Sequence, residues 1–264
     1  MTRRLIAIDL DGTLFNARGQ VSERTAAALR AAHDAGIVVA PATARWYQAA
    51  MRPFEALGLE VAAIASAGAD VRLPGGQVVE QHPLDPEFVG FFAGLCDRAD
   101  WIANVSTPER AYRRASELPA WAANAPEWLR PVTSLRDADL TSALSVLAEM
   151  STDNEHWPLL EPWSGRVSFY PAVAFNGDAL LTITARDVDK GTGLLALCRS
   201  LGVNPADAVA IGDSEVDIPM FRVAGLSFAM ADGMDEAKAA ATRLTATADA
   251  DGVAAVIEGI LAGS

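Results

Sequence analysis

The stretch AIDLDGTLFN, residues 7–16, closes an apolar run on two carboxylates, Asp9 and Asp11, and follows them at once with Gly12 and Thr13. Carboxylates this close repel each other unless a positive charge lies nearby. The pair therefore calls for a cation. Other residues able to do chemistry stand behind similar apolar runs: Thr43 with Arg45, then Ser66 to Gly68, then Asp213 with Asp217 after "AVAIG". Lys190 opens the stretch "KGTGLLA". Three or four carboxylates, a hydroxyl and a lysine are a composition for Mg²⁺, a hard cation held by few carboxylates together with waters and phosphate oxygens.

For these residues to act together, a scaffold must bring the ends of several strands to one rim. Leu5 to Ile8 is a continuous apolar run of the kind found in a strand buried on both faces. Ser22 is a plausible helix cap and Gly36 a helix stop, with an alanine-rich segment between them. The run "IVVAPATA" predicts a second strand, Trp46 to Leu57 a second helix, and "VAAIASAGADV" a third strand. This alternation implies a parallel sheet with right-handed crossovers. "VRLPGGQVVE" predicts a hairpin around Pro74-Gly75-Gly76.

From Lys190 the alternation resumes, with helix, strand, helix, strand and helix over "GTGLLALCRSLGV", "AVAIGD", "EVDIPMFRVAG", "LSFAMAD" and "DGVAAVIEGIL". The expected fold class is α/β, a Rossmann-like parallel-sheet core with helices on both faces, formed by residues 1–82 and 186–264. In open sheets of this kind ligands bind beyond the carboxyl ends of the strands. Between the two halves, residues 83–185 carry five of the six tryptophans (Trp101, Trp121, Trp128, Trp157, Trp163). They read as an inserted α+β domain, with a helix near Thr141 to Met150 and strands at "RVSFYP" and "ALLTITA".

Asp9-x-Asp11-Gly12-Thr13, Thr43, Lys190, and Gly212-Asp213 followed by Asp217 are similar, in order and spacing, to the four motifs of the haloacid-dehalogenase-like phosphatase superfamily. The place of the insert resembles that of the large α/β cap in the Cof-type branch. Phosphoryl transfer needs an in-line nucleophile, neutralised oxygens and a proton for the leaving alkoxide. Asp9 is then the nucleophile, forming an aspartyl-phosphate, and Asp11 the general acid and base. Gly12 permits a tight turn and, with Thr13, Thr43, Arg45 and Lys190, belongs to the phosphate-binding set. The resemblance implies Mg²⁺ held by Asp9, the Asp11 carbonyl and Asp213, with Asp217 orienting Lys190 or a metal-bound water.

The implied activity is Mg²⁺-dependent hydrolysis of small phosphorylated metabolites, sugar phosphates foremost, with the insert as a cap. A phosphosugar mutase and a catalytically weakened phospho-ligand-binding member are the alternatives. The chain departs from the Cof-type pattern at Ala44, where glycine is usual, at Val216, where asparagine is usual, and at Ser66-Ala67-Gly68, where Asn-Gly-Ala is usual. Arg110, Arg113, Arg114 and Trp163 are among the insert residues that could reach a substrate. The helix-opening Gly191-x-Gly193-x-x-Ala196 lacks the preceding strand that a dinucleotide fingerprint requires.

Composition excludes several classes. A formal charge of −13 over 264 residues argues against nucleic acid and anionic membrane surfaces, which bind clustered Lys and Arg. Cys96 and Cys198, with His33, His82 and His156, match no zinc-ligand spacing. The amino-terminal apolar run is too short and too soon interrupted by aspartate for a signal peptide or a membrane span, so a soluble cytoplasmic protein is expected.

Overall fold

The computed structural model describes residues 5–150, 156–173 and 179–263. The first segment forms β1 (Leu5–Ile8), α1 (Glu23–Asp34), β2 (Val38–Pro41), α2 (Tyr47–Ala56), β3 (Ala63–Ala65), β4 (Asp70–Arg72) and β5 (Val78–Gln81). Next come α3 (Pro86–Arg98), β6 (Ile102–Ser106), β7 (Ala111–Arg114), β8 (Leu129–Val132), β9 (Ser145–Met150), α4 (Trp157–Leu160), β10 (Val167–Val173) and β11 (Ala179–Ala185). The chain ends with α5 (Lys190–Leu201), β12 (Ala208–Gly212), α6 (Ile218–Val223), β13 (Leu226–Met230), α7 (Asp235–Ala240), β14 (Arg243–Thr245) and α8 (Gly252–Leu261). Two compact units result, one of residues 1–80 with 189–264 and the other of residues 81–188.

In the first unit five parallel strands lie in the order β14-β13-β12-β1-β2. Alternate residues of β1 enter different cores, which is why its sequence is apolar throughout. Ile6 and Ile8 pack with Leu29 of α1, Phe54 of α2 and Ile257 of α8, while Leu5 and Ala7 pack with Leu194 of α5, Met220 of α6 and Ala237 of α7. Ser22 caps α1, its hydroxyl accepting the Thr25 N–H.

The third predicted strand is shared between two arrangements. It pairs antiparallel with β4 in a three-stranded β3-β4-β5 sheet. It also runs parallel beside β2, where the Ala62 N–H donates to the Val39 carbonyl and the Thr43 N–H to the Ile64 carbonyl. The hairpin predicted at Pro74-Gly75-Gly76 joins β4 to β5.

The second unit is a six-stranded sheet in the order β10-β11-β9-β6-β7-β8, antiparallel except where β7 meets β8. One apolar face, with Ala103, Val105, Val146, Leu181 and Ile183, packs with Phe88 and Phe92 of α3. The helix expected near Thr141 to Met150 is instead β9, a strand between β11 and β6. Its leucine, alanine, glutamate and methionine favour helix locally, but the buried Val146 and Ala148 fit the apolar side of a pleated sheet, and that packing prevails. Among the described residues no helix is long and apolar enough to cross a membrane.

Candidate active site

The carboxyl ends of β1, β2 and β12 and the amino-terminal end of α5 bring the predicted site residues of the first unit together. Asp9 follows β1 directly, and its N–H donates to the Ile211 carbonyl at 2.9 Å. Its carboxylate Oδ1 accepts a hydrogen bond from Lys190 Nζ at 2.6 Å. The same ammonium donates to Asp217 Oδ1 at 2.6 Å. Lys190 is the first residue of α5, where the helix dipole opposes a cation, and it is 1% exposed. Only counter-charges make that placement tenable.

Asp217, fully buried, holds the loop after β12 in shape. Its Oδ2 accepts from the Asp213 and Ser214 backbone N–H groups at 3.0 Å each and from the Ser214 hydroxyl at 3.1 Å. A side chain on Gly212 would collide with this carboxylate. Val216 stands in the same turn, and Ile218, two residues on, begins α6.

Asp9, Asp213 and Asp217 present oxygens within 4.8 Å of one another, and Lys190 is the cation bonded among them. Burial pushes the Asp9 carboxyl well above its ordinary range; Lys190 pulls it back, while Asp217, Asp213 and Asp11 push it further up. Burial, then Asp217, raises Asp213 to about 7, against the opposing pull of Thr13 and Lys190. Burial alone would lower Lys190, but the Asp217 and Asp9 carboxylates outweigh it and hold the ammonium above its usual value. The cluster is thus short of positive charge.

Both oxygens of Asp217 are already engaged, which leaves Asp9 and Asp213 as the carboxylates available to a further cation. Asp213 Oδ1 accepts the Thr13 hydroxyl at 3.0 Å. Its Oδ2 lies against Gly12, where a Cβ would approach to 2.4 Å and where φ is +88°. Glycine at position 12 is what lets the carboxylate close on the turn. Two crowded carboxylates with raised pKa values suit an oxygen-liganded divalent cation, which would offset the negative charge that their burial disfavours.

Thr13 and Arg45, expected in the phosphate-binding set, bond to protein carboxylates here. Thr13 holds Asp213, as above. Arg45 grips Asp11 in a two-pronged fork, Nε to Oδ2 at 2.7 Å and a terminal nitrogen to Oδ1 at 2.6 Å. The carboxylate of Asp11, about half exposed, therefore sits apart from the Asp9–Asp213–Asp217 group. Thr43 is buried, and its hydroxyl oxygen accepts the Arg45 N–H at 3.1 Å, so the hydroxyl proton stays available to an acceptor. It does not cap the following helix, whose cap position is Trp46.

The four insert candidates lie in the second unit. Arg114 is buried against Asp100 at 2.7 Å, Asp97 at 3.4 Å and the Trp101 carbonyl at 2.9 Å. Trp163 stacks on Phe91 at 5.1 Å and meets Phe88 edge-on. Both are packing residues. Arg113 bonds to Asn104 and Glu149 at 3.2 and 3.3 Å, and the backbone of Arg110 closes the β6–β7 turn on Thr107. Sequence reading missed Ser214 and Asp189, although both begin capping boxes, Ser214-x-x-Asp217 and Asp189-x-x-Thr192, that the spacing displays.

Residues 6–257 match the model of a family described as haloacid dehalogenase-like hydrolase. The 5-amino-6-(5-phospho-D-ribitylamino)uracil phosphatase YcsE of Bacillus subtilis is 28% identical, over 96% of this chain and 94% of its own length. A phosphoglycolate phosphatase of Methanothermobacter thermautotrophicus is 25% identical over 96% and 97%. Among solved structures, a haloacid dehalogenase-like hydrolase from B. subtilis superposes with a TM-score of 0.83 at 24% identity, over 97% of this chain and 99% of that one. The HAD subclass IIB sugar phosphatase BT4131 gives 0.81 at 22%, with the same coverage. The chain belongs to the haloacid dehalogenase-like hydrolase family, as a phosphatase.

Proposed function

We propose that this phosphatase is Mg²⁺-dependent, acts on small phosphorylated metabolites of the sugar or polyol phosphate class, and works through an aspartyl-phosphate on Asp9. The observation that carries the reading is Lys190, buried at a helix start and bonded at 2.6 Å to both Asp9 and Asp217, in a cluster whose carboxylates outnumber that one cation. Such an arrangement leaves Asp9 dependent on cations for its ionised form, and ionised is the form that attacks phosphorus. Named relatives that act on a phosphoribitylamino compound and on sugar phosphates support the substrate class.

Asp9 attacks phosphorus with the oxygen that Lys190 leaves free, and the bond to the leaving oxygen breaks. Asp11, in its protonated form, gives that oxygen its proton; as the carboxylate so formed it takes one from the water that hydrolyses the acyl phosphate, restoring Asp9 and its own proton and releasing phosphate. Arg45, through its fork, holds the ionised Asp11, the form that takes the water's proton. Thr43 and Lys190 hold phosphoryl oxygens in place. Mg²⁺, when bound by Asp9, Asp213 and the Asp11 carbonyl that the family resemblance implies, supplies charge neutralisation at the phosphate oxygens. Residues 81–188 serve as the cap that selects the leaving group and excludes water.

A panel of sugar, polyol and other metabolite phosphates, with phosphate release as readout, tests the reading. Release from members of the sugar and polyol group, lost with EDTA and regained with Mg²⁺, is expected. Release unaffected by EDTA would overturn the metal assignment, and isomerised product without free phosphate would indicate a mutase.

The cluster also predicts a pH dependence of stability. Asp213 has a folded pKa raised from its ordinary 3.8 to about 7, so the folded protein binds more protons than the unfolded chain across that window. Its contribution to stability is therefore full below pH 3.8 and lost as pH rises through 7. A cation that takes the proton's place restores it, and binds better where the proton has left. Mg²⁺ should raise the melting temperature more at pH 8 than at pH 5.5, measured by differential scanning fluorimetry; an equal shift at both would count against Asp213 as a ligand.

A further inference from the structure

Three consecutive residues after β3 all have left-handed backbone: Ser66, Ala67 and Gly68, with φ of 52°, 55° and 100°. Glycine takes that region freely, whereas a residue with a side chain is strained there. Ser66 and Ala67 are nonetheless buried and tied down. The Ser66 N–H donates to the Arg45 carbonyl and the Ala67 N–H to the Thr43 carbonyl, each at 2.8 Å. These bonds straddle Ala44 and fix the backbone beneath the Thr43 hydroxyl and the Arg45 fork.

On its other side the loop meets the start of α5 with no space to spare. A Cβ on Gly68 would lie 2.0 Å from the Asp189 carbonyl oxygen and 3.3 Å from the Lys190 nitrogen, and one on Gly193 would lie 3.0 Å from the Gly68 Cα. A shift of Gly68 toward α5 would therefore press on the helix end that carries Lys190. One short segment bears at once on Thr43, Arg45 and Lys190.

We infer that Ser66-Ala67-Gly68 is a strained positioning wedge that sets Thr43 and Arg45 in register with Lys190, so that its conformation governs turnover more than stability. This rests on the phosphatase reading above. Strained backbone persists where its surroundings over-determine it, and the surroundings here are the main chains of three site residues. The wedge acts through those residues, as a set of positioning residues.

Ala67→Gly tests it, since glycine relieves the strain and keeps the N–H that bonds to Thr43. The expected variant melts about 2 °C or more above the parent. With 4-nitrophenyl phosphate and Mg²⁺ its kcat falls about fivefold or more, with KM within about twofold, because a looser turn disperses the groups that must meet the transition state. Orthovanadate, a mimic of five-coordinate phosphorus, should bind about fivefold more weakly by thermal shift, and inorganic phosphate within about twofold of parent. Gly58→Ala, which adds left-handed strain in open space at the end of α2, is the control and should lower the melting temperature with kcat unchanged.

A more stable Ala67→Gly variant with parental kcat and vanadate binding would make the strain merely structural, and a less stable one would deny it; either overturns the inference. A parent that releases no phosphate from any compound would overturn the proposed function instead. The vanadate and phosphate shifts would then still decide the role of the wedge.

Discussion

Replacing Asp9 with asparagine should abolish phosphate release, by about 10³-fold or more in kcat, while leaving the metal-free protein at least as thermostable as the parent. The two halves of this result have separate causes. An amide cannot attack phosphorus, so the covalent route closes. Stability moves the other way because burial and the neighbouring Asp217, Asp213 and Asp11 make the Asp9 charge costly, offset chiefly by Lys190. A neutral amide of the same shape removes that cost, and its oxygen still accepts from the ammonium. The gain should be larger at pH 8 than at pH 5, because the raised Asp9 pKa means its carboxylate is more fully charged in the folded parent at the higher pH.

Mg²⁺ should also lose much of its stabilising effect on Asp9→Asn, since one of two available carboxylates is gone. Activity assays with thermal melts at both pH values, with and without Mg²⁺, check all of this. Turnover within tenfold of the parent would remove Asp9 from the nucleophile's place. A large fall in melting temperature would show instead that the carboxylate is needed for folding.

The scaffold was legible in the sequence where local and global signals agree. Leu5 to Ile8 reads as a doubly buried strand because nothing polar interrupts it, and each of its residues is fully buried. Ser22 and Gly36 mark the limits of α1 because capping chemistry is local. The strand-end placement of Asp9, Thr43 and Asp213 follows from those elements alone. What they bond to does not, since the Arg45–Asp11 fork spans 34 positions and the Lys190–Asp9 pair 181. Pairings of that kind depend on which strands become neighbours.

Three other features escaped for different reasons. Left-handed backbone is announced by glycine or asparagine, and Ser66 and Ala67 give no such signal. Their strain is imposed by the hydrogen bonds to Thr43 and Arg45, which only the folded chain supplies. In the second unit, Asp85 and Pro86 form a sound helix start, with the Asp85 side chain accepting the Glu87 and Phe88 N–H groups, a signal the sequence does contain. The residues of β9 carry helix-favouring chemistry, and their strand exists because β6 and β11 flank it.

Replacing Lys190 with methionine should produce the largest combined loss, in activity and in stability. Methionine fills similar volume without charge, so the change isolates the ammonium. Its removal leaves Asp9, Asp213 and Asp217, with oxygens within 4.8 Å of one another, without their buried cation. Breaking a buried ion pair by deleting one partner costs about 3–5 kcal/mol, which in a chain of this size lowers the melting temperature by about 10 °C. Turnover should fall about 10²- to 10³-fold, the scale of one lost electrostatic contact to a developing transition state.

The loss of stability should depend on pH in a defined direction. Without Lys190 the Asp9 pKa rises further above its ordinary value, so the variant keeps its stability in acid, where the carboxylate is protonated, and loses it as pH rises through the new folded pKa. Thermal melts of Lys190→Met should therefore lie closer to those of the parent at pH 5 than at pH 8. Adding Asp217→Asn in the same chain relieves the repulsion by one charge and should recover part of the melting temperature at pH 8 without recovering turnover. Full recovery of activity in the double variant would place Lys190 with the scaffold; recovery of stability alone separates its two tasks, balancing the carboxylates and gripping the phosphoryl group.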